Sequence, residues 1–217
     1  MKTTLNYLSD LESNNNREWF KSNDILYKEV RSEFENFVSK LIIEINKFDP
    51  EIGFPNAKSC IFRINRDVRF SSNKDPYKNN FGAYINKGGR KSGFAGYYFH
   101  LQPNSSFAGG GIFSPSSNVL KKIRTEIYES PEEFKSIINQ KEFKSTFGDI
   151  YGKKLKTRPK GFDDFKDVDL IRHQHYAVLH GFDDNELDKS NFINTLIEIY
   201  KTQKPFNNFL NNSLTIE

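Results

Sequence analysis

Residues 63–80, RINRDVRFSSNKDPYKNN, gather Arg63, Arg66, Arg69, Lys74 and Lys78 around two acids, Asp67 and Asp75. The choice of cation is informative. The chain holds 23 Lys and 9 Arg, yet three of the nine arginines fall at 63, 66 and 69. Lysine supplies charge equally well; arginine is needed where a planar fork meets carboxylate or phosphate oxygens at two points. Two readings follow. The stretch is a surface that grips a phosphate- or carboxylate-bearing ligand, or it is an ion-pair network in which Asp67 pins a loop. On a regular strand Arg63 and Arg69 share a face with Asp67 while Arg66 points away, and a turn or bulge near residues 65–66 brings all three together. Asp67 satisfies at most two arginines well, so at least one cation is left for a ligand. Asp75-Pro76 sets a turn or extended backbone that presents Lys74, Tyr77 and Lys78 together. Tyr77 either stacks on a ligand or packs on the core.

Other groups add to this inventory. Gly109, Gly110 and Gly111 in FAGGGIFSPSS precede a helix start near Pro115. They either offer backbone donors to the same ligand or form a glycine bulge in a strand. The sequence there lacks the Gly-Lys-Ser/Thr ending of a phosphate-binding P-loop. His100 in YYFHLQP is a candidate general acid or base, with an ordinary pKa of about 6.5, or a hydrogen-bonded sheet histidine. Asp67 and His100 are the two candidates for proton transfer, with the arginines stabilising developing negative charge. His173 and His175 form an H-x-H pair with Asp167 and Asp169 nearby. Two histidines fall short of a ligand set, so no metal is expected, and no cofactor motif is present. KKLKTRPK (153–160) is a second basic run, either a solvated loop or an extension of the positive surface to polynucleotide size.

These groups must be positioned by a mixed scaffold. Leu5, Leu8 and Leu11 mark a short helix over 3–12, and Asn15 or Asn16 caps a second one carrying Trp19 and Phe20. Val30, Phe34, Phe37, Val38, Leu41, Ile42 and Ile45 recur at helical steps and predict a long helix to Phe48, closed by Asp49-Pro50. SCIFRINR then alternates like a strand, with Cys60, Phe62 and Ile64 on one face. Residues 81–87, 96–103 and 105–113 are further strand candidates joined by short turns, which reads as an antiparallel meander. Helices return from 116, with Val119, Leu120, Ile123 and Ile127 on one face. HQHYAVLHGF (173–182) is one more strand candidate, and a last helix over 191–210 is expected to break at Pro205.

Bulk properties fit this picture. Of 217 residues, 21 are Phe and 10 are Tyr, so aromatic rings must fill much of the core. A single cysteine, Cys60, excludes an intramolecular disulfide and reads as a buried thiol. The N-terminal MKTTLNYLSDLES has no apolar signal core, and no run reaches the roughly 18–20 apolar residues of a membrane span. A cytoplasmic protein without a membrane partner is expected. The net charge of +4 is unevenly spread: residues 58–125 carry 12 basic and 2 acidic side chains, with no Asp or Glu from Pro76 to Thr125. Such a local excess favours an anion site over a wholly basic nucleic-acid coat.

RINRDVRFSSNKDPYKNNFG followed by GYYFHLQPNSSFAGGGIFSP resembles the bacterial and fungal proteins grouped as the domain of unknown function 2461 family. NNNREWF, LKKIR, RPKGFDD and DLIRHQHY fit the same order of blocks. The resemblance implies a compact single-domain protein and supplies no catalytic residues. With or without it, the reading is an α+β chain: one domain over 1–217, helices over about 3–48, a strand-rich basic middle over about 58–113 forming a meander of about four to six strands, and helices over about 116–212. The preferred function is binding of an anionic small molecule by Arg63, Arg66, Asp67, Arg69, Lys74, Tyr77, Lys78 and Gly109–Gly111. An uncharacterised enzyme, a nucleic-acid-binding protein and a purely structural arginine network are the alternatives, with nucleic acid the less favoured partner.

Overall fold

The computed structural model describes residues 1–215. Its four strands, β1 (Phe81–Asn86), β2 (Gly96–Leu101), β3 (Ser106–Ile112) and β4 (Tyr176–Phe182), form one antiparallel sheet in the order β1-β2-β3-β4. The described residues also form ten helices, so the chain is α+β as the sequence predicts. None of these helices is long and apolar enough to cross a membrane. The chain packs as two compact units. One comprises Met1–Ile85, Tyr98–Ala108 and Gly181–Ile197; the other comprises Asn86–Tyr97, Gly109–His180 and the residues from Glu198 on.

The first unit is built on α1 (Lys2–Ser13), α2 (Arg17–Ser22) and α3 (Asp24–Phe48). Leu5, Leu8 and Leu11 of α1 are buried, one helical stripe as their spacing requires. Asn16 caps α2, its side chain accepting from the Trp19 N–H at 2.9 Å. Val30, Phe34, Val38, Leu41, Ile42 and Ile45 form the buried stripe of α3. Phe34 packs on Phe81 and Phe99 of the sheet with ring centroids 5.3 and 6.2 Å away, and Phe37 meets Phe99 at 5.1 Å. Tyr7, Trp19, Phe20 and Tyr27 continue this aromatic core.

The expected strand at SCIFRINR does not form. Residues Ala57–Cys60 make a one-turn helix, α4, because the Asn56 side chain accepts from the Lys58 N–H at 2.9 Å and sets a cap. Cys60, Ile61 and Ile64 are all buried, so the alternation fails. Only isolated bridges follow, Ile61 to Ala83 and Asn65 to Tyr77. Arg66 N–H donates to Pro76 O and Lys78 N–H to Ile64 O, which ties 64–66 beside 76–78 and leaves 67–75 as a loop. Pro76 has no N–H to extend the ladder.

The second unit carries α5 (Ser117–Glu129), α6 (Pro131–Ile138), α7 (Lys141–Phe147) and the one-turn α8 (Val168–Ile171). Phe134 is fully buried, with ring centroids of Phe209, Phe206 and Tyr176 at 5.0, 6.1 and 6.2 Å. One further single turn, α9 (Asp184–Leu187), belongs to the first unit and precedes α10 (Phe192–Thr215). α10 runs through Pro205 without the expected break. The proline removes one backbone donor, but Gln203, Phe206, Asn207, Phe209 and Leu210 around it are buried and hold the helix to the unit's core.

His173 lies in this unit, buried, with Nδ1 lacking a hydrogen-bond partner. Burial pushes its pKa down to about 4, the Lys154 charge adding to the effect and Asp169 and Asp149 opposing it. Its folded-state value lies below that of an unfolded histidine, about 6.5, so protonation favours unfolding. The stabilisation is complete above about pH 6.5 and is lost as pH falls towards 4. Urea titrations across that window should show a falling midpoint in the wild type and a flatter dependence in His173→Gln. Equal slopes would contradict this assignment.

Candidate functional site

The segment around the Asn65–Tyr77 bridge sorts the arginine cluster residue by residue. Asp67 takes one arginine only: Arg69 Nε and Nη2 donate to its two carboxylate oxygens at 2.9 and 2.7 Å. That bidentate bond, then the Arg69 backbone N–H, holds the Asp67 carboxyl below its ordinary range. An exposed, salt-bridged carboxylate of lowered pKa is a poor general base. Arg66 turns elsewhere, Nη1 donating to Asp75 O at 3.1 Å and Nη2 to Ser71 Oγ at 3.4 Å, with the Asp75 carboxylate 3.9 Å away. Lys74 Nζ donates to Val68 O at 3.1 Å. Arg63 is exposed and makes no ion pair among the described residues, though its charge helps lower the Asp67 pKa.

Arg66 and Lys78 reach a common cleft of about 280 Å³, together with Asp75, Tyr77, Asn73, Asn79 and Asn80 of the same segment. Glu12 and Asn15, from the end of α1 and the turn after it, complete the lining. Asn15 is a clamp: its Nδ2 donates to Tyr77 O at 3.0 Å and its Oδ1 accepts from Tyr77 N–H at 3.1 Å, replacing a strand partner. The Tyr77 ring stacks on Phe20 at 3.9 Å, so it packs on the core. Asn79 Nδ2 donates to Glu12 Oε1 at 2.9 Å. The cleft therefore carries two cations, two carboxylates and four amides. Arg63, Asp67, Arg69 and Lys74 are not among its lining residues.

Asn80 joins the cleft to His100. Its Nδ2 lies 3.5 Å from His100 Nδ1, while Tyr98 Oη lies 3.0 Å from the same nitrogen. His100 Nε2 is 2.8 Å from Gln102 Oε1. With Gln102 Oε1 as acceptor, the proton sits on Nε2 and Nδ1 accepts from the phenol. Burial lowers the His100 pKa; the Gln102 hydrogen bond opposes this, and the Lys78 charge adds to it. Burial also pushes Tyr98 up to about 12, which keeps its hydroxyl a donor. The Phe107 ring stacks on the imidazole at 4.6 Å and 13°. His100 is thus a neutral imidazole oriented through both ring nitrogens by uncharged partners.

In the second unit, Gly109, Gly110 and Gly111 lie within β3. A Cβ at these positions would collide with Val178 O, Gly96 O and Tyr176 O respectively, so the glycines admit neighbouring backbone. His173 and His175 precede β4 rather than lying in it. His175 Nδ1 accepts from the Ser114 N–H at 3.0 Å. No group of three or more His, Cys, Asp or Glu converges among the described residues.

Sequence reasoning missed Glu12, Asn15, Asn73, Asn79, Asn80 and Gln102. Asn79-Asn80 closes the basic block and Gln102 follows His100 at strand spacing, so those three were legible; Glu12 and Asn15 arrive from 62 or more residues away. No curated protein and no solved structure matches the chain. A family model described as Conserved hypothetical protein (DUF2461) matches residues 3–209, and the chain belongs to that family.

Proposed function

We propose that the chain binds a small polar ligand bearing a carboxylate or phosphate group in the cleft lined by Arg66 and Lys78. The observation that carries this reading is the convergence of these two cations with four amide side chains on one cleft. Its volume suits a metabolite-sized molecule rather than a polymer. Glu12 and Asp75 balance the charge, which disfavours polyanions and favours a ligand that also presents hydrogen-bond donors. The anionic group meets Lys78 and the remaining N–H groups of Arg66, and the Asn amides meet the rest. A thermal-shift panel of phosphate, sugar phosphates, amino acids and dicarboxylates tests it. At least one compound is expected to raise the melting temperature, and Lys78→Ala is expected to weaken binding about tenfold or more. No response across the panel in wild type overturns the reading.

A second reading, proton transfer on the bound ligand, is favoured by the Asn80–His100 contact, which ties the cleft to a neutral imidazole. Turnover of a ligand found by the panel should then vanish in His100→Gln while binding persists. Turnover retained in that variant removes His100 from the chemistry.

A further inference from the structure

The second unit presents an exposed aromatic group that its own core does not use. Phe113 is 64% exposed and Tyr151 49% exposed, large values for rings in an aromatic-rich fold. Phe113 stacks on His175 with centroids 4.4 Å apart at 24°, and Tyr151 lies 6.4 Å from Phe113. The platform is held from beneath. Ser114, at a left-handed φ of 50°, donates its N–H to His175 Nδ1, and a Cβ at Gly152 would meet the imidazole edge. Because Nδ1 is engaged, the neutral ring carries its proton on Nε2.

The basic run 153–160 begins two residues after Tyr151. Hydrogen bonds from Gln174 N–H to Lys153 O and from Leu155 N–H to Arg172 O fix it alongside the residues that carry His175. Residues 150–162 contain four Lys and one Arg and no acid. Lys154 lies 3.5 Å from Asp169, and Arg158 donates to Phe162 O. Lys153, Lys156 and Lys160 are exposed and make no ion pair among the described residues.

We infer that Phe113, Tyr151 and His175 form a stacking platform for bases of single-stranded nucleic acid, with Lys153 and Lys156 on its phosphates. Exposed rings beside an acid-free basic segment are the chemistry by which single strands are held without sequence readout. A membrane surface is the poorer match, because Ser114, Gly152 and Gln174 around the rings supply no aliphatic side chains to insert.

The test is fluorescence anisotropy of the full chain with labelled 20-mers of dT and rU, and with a 20-base-pair duplex. Wild type should bind the single strands more tightly than the duplex, and tenfold or more weaker at 200 than at 50 mM salt. Phe113→Ala should weaken single-strand binding about tenfold with the salt slope kept, in line with the loss of one stacked base. Lys153→Gln with Lys156→Gln should lower both affinity and slope. Absent single-strand binding at 50 mM salt, binding indifferent to Phe113→Ala, or loss of binding on Arg63→Ala instead would overturn the inference. So would association with vesicles of phosphatidylcholine and phosphatidylserine in place of the strands.

Discussion

Replacing Gly110 with alanine should destabilise the protein by about 3–5 kcal/mol, adding the cost of overpacking to that of backbone strain. Gly110 has φ 149°, and a Cβ there would fall on Gly96 O and within 2.5 Å of Gln203 Nε2. Neither neighbour can yield freely. Gly96 O is on β2 and accepts from Gln203 Nε2 at 3.0 Å, and Gln203 is fully buried and bonded in turn to Asn207. Moving Gln203 would leave a buried carbonyl unsatisfied. Chemical denaturation of Gly110→Ala measures the effect; a loss under about 1 kcal/mol would show that the sheet can relax around the methyl group.

Phe34→Ala should cost a similar amount, about 3–5 kcal/mol, by a different mechanism. The ring is 1% exposed and fills the space between α3 and the sheet, against Phe81, Phe99 and Phe37. Removing it deletes apolar burial and leaves a cavity whose walls are other large rings, which collapse poorly. Phe34→Leu should recover part of the loss by restoring apolar volume. Urea midpoints of the two variants check this, and equal midpoints would mean that the cavity carries no cost.

The contrast between what was legible and what was not has a physical basis. α3 follows from helical periodicity because it buries one stripe, and β1–β3 are short, mostly buried runs bounded by turn residues. Residues 57–80 do not. Their geometry rests on the Asn56 cap, two isolated bridges and the Asn15 clamp on Tyr77, 62 residues distant. No local pattern encodes a contact of that range. Pro205 is the reverse case, where a sound local rule yields to the burial of its neighbours.

At the candidate site, the residue types were informative and their sorting was not. The clustering of three arginines at 63, 66 and 69 marks the segment, whereas which of them Asp67 binds depends on the loop's folded geometry. The answer is that Asp67 holds Arg69, Asp75 engages Arg66, and Arg63 stands apart. Arg66 and Lys78 of the five cations reach the cleft, and the acids Glu12 and Asp75 temper its charge. The anion-binding reading therefore narrows from a broad basic surface to a small, charge-balanced cleft.

The most direct test of that reading is a ¹H–¹⁵N correlation spectrum recorded while the strongest compound from the phosphate and carboxylate panel is titrated in. Saturable shifts are expected at the backbone amides of Arg66, residues 73–75 and residues 77–80 and at the side-chain amides of Asn73, Asn79 and Asn80. They should be lost in Lys78→Ala, with the remaining spectrum unchanged. Shifts that map elsewhere, or that persist in Lys78→Ala, would contradict it.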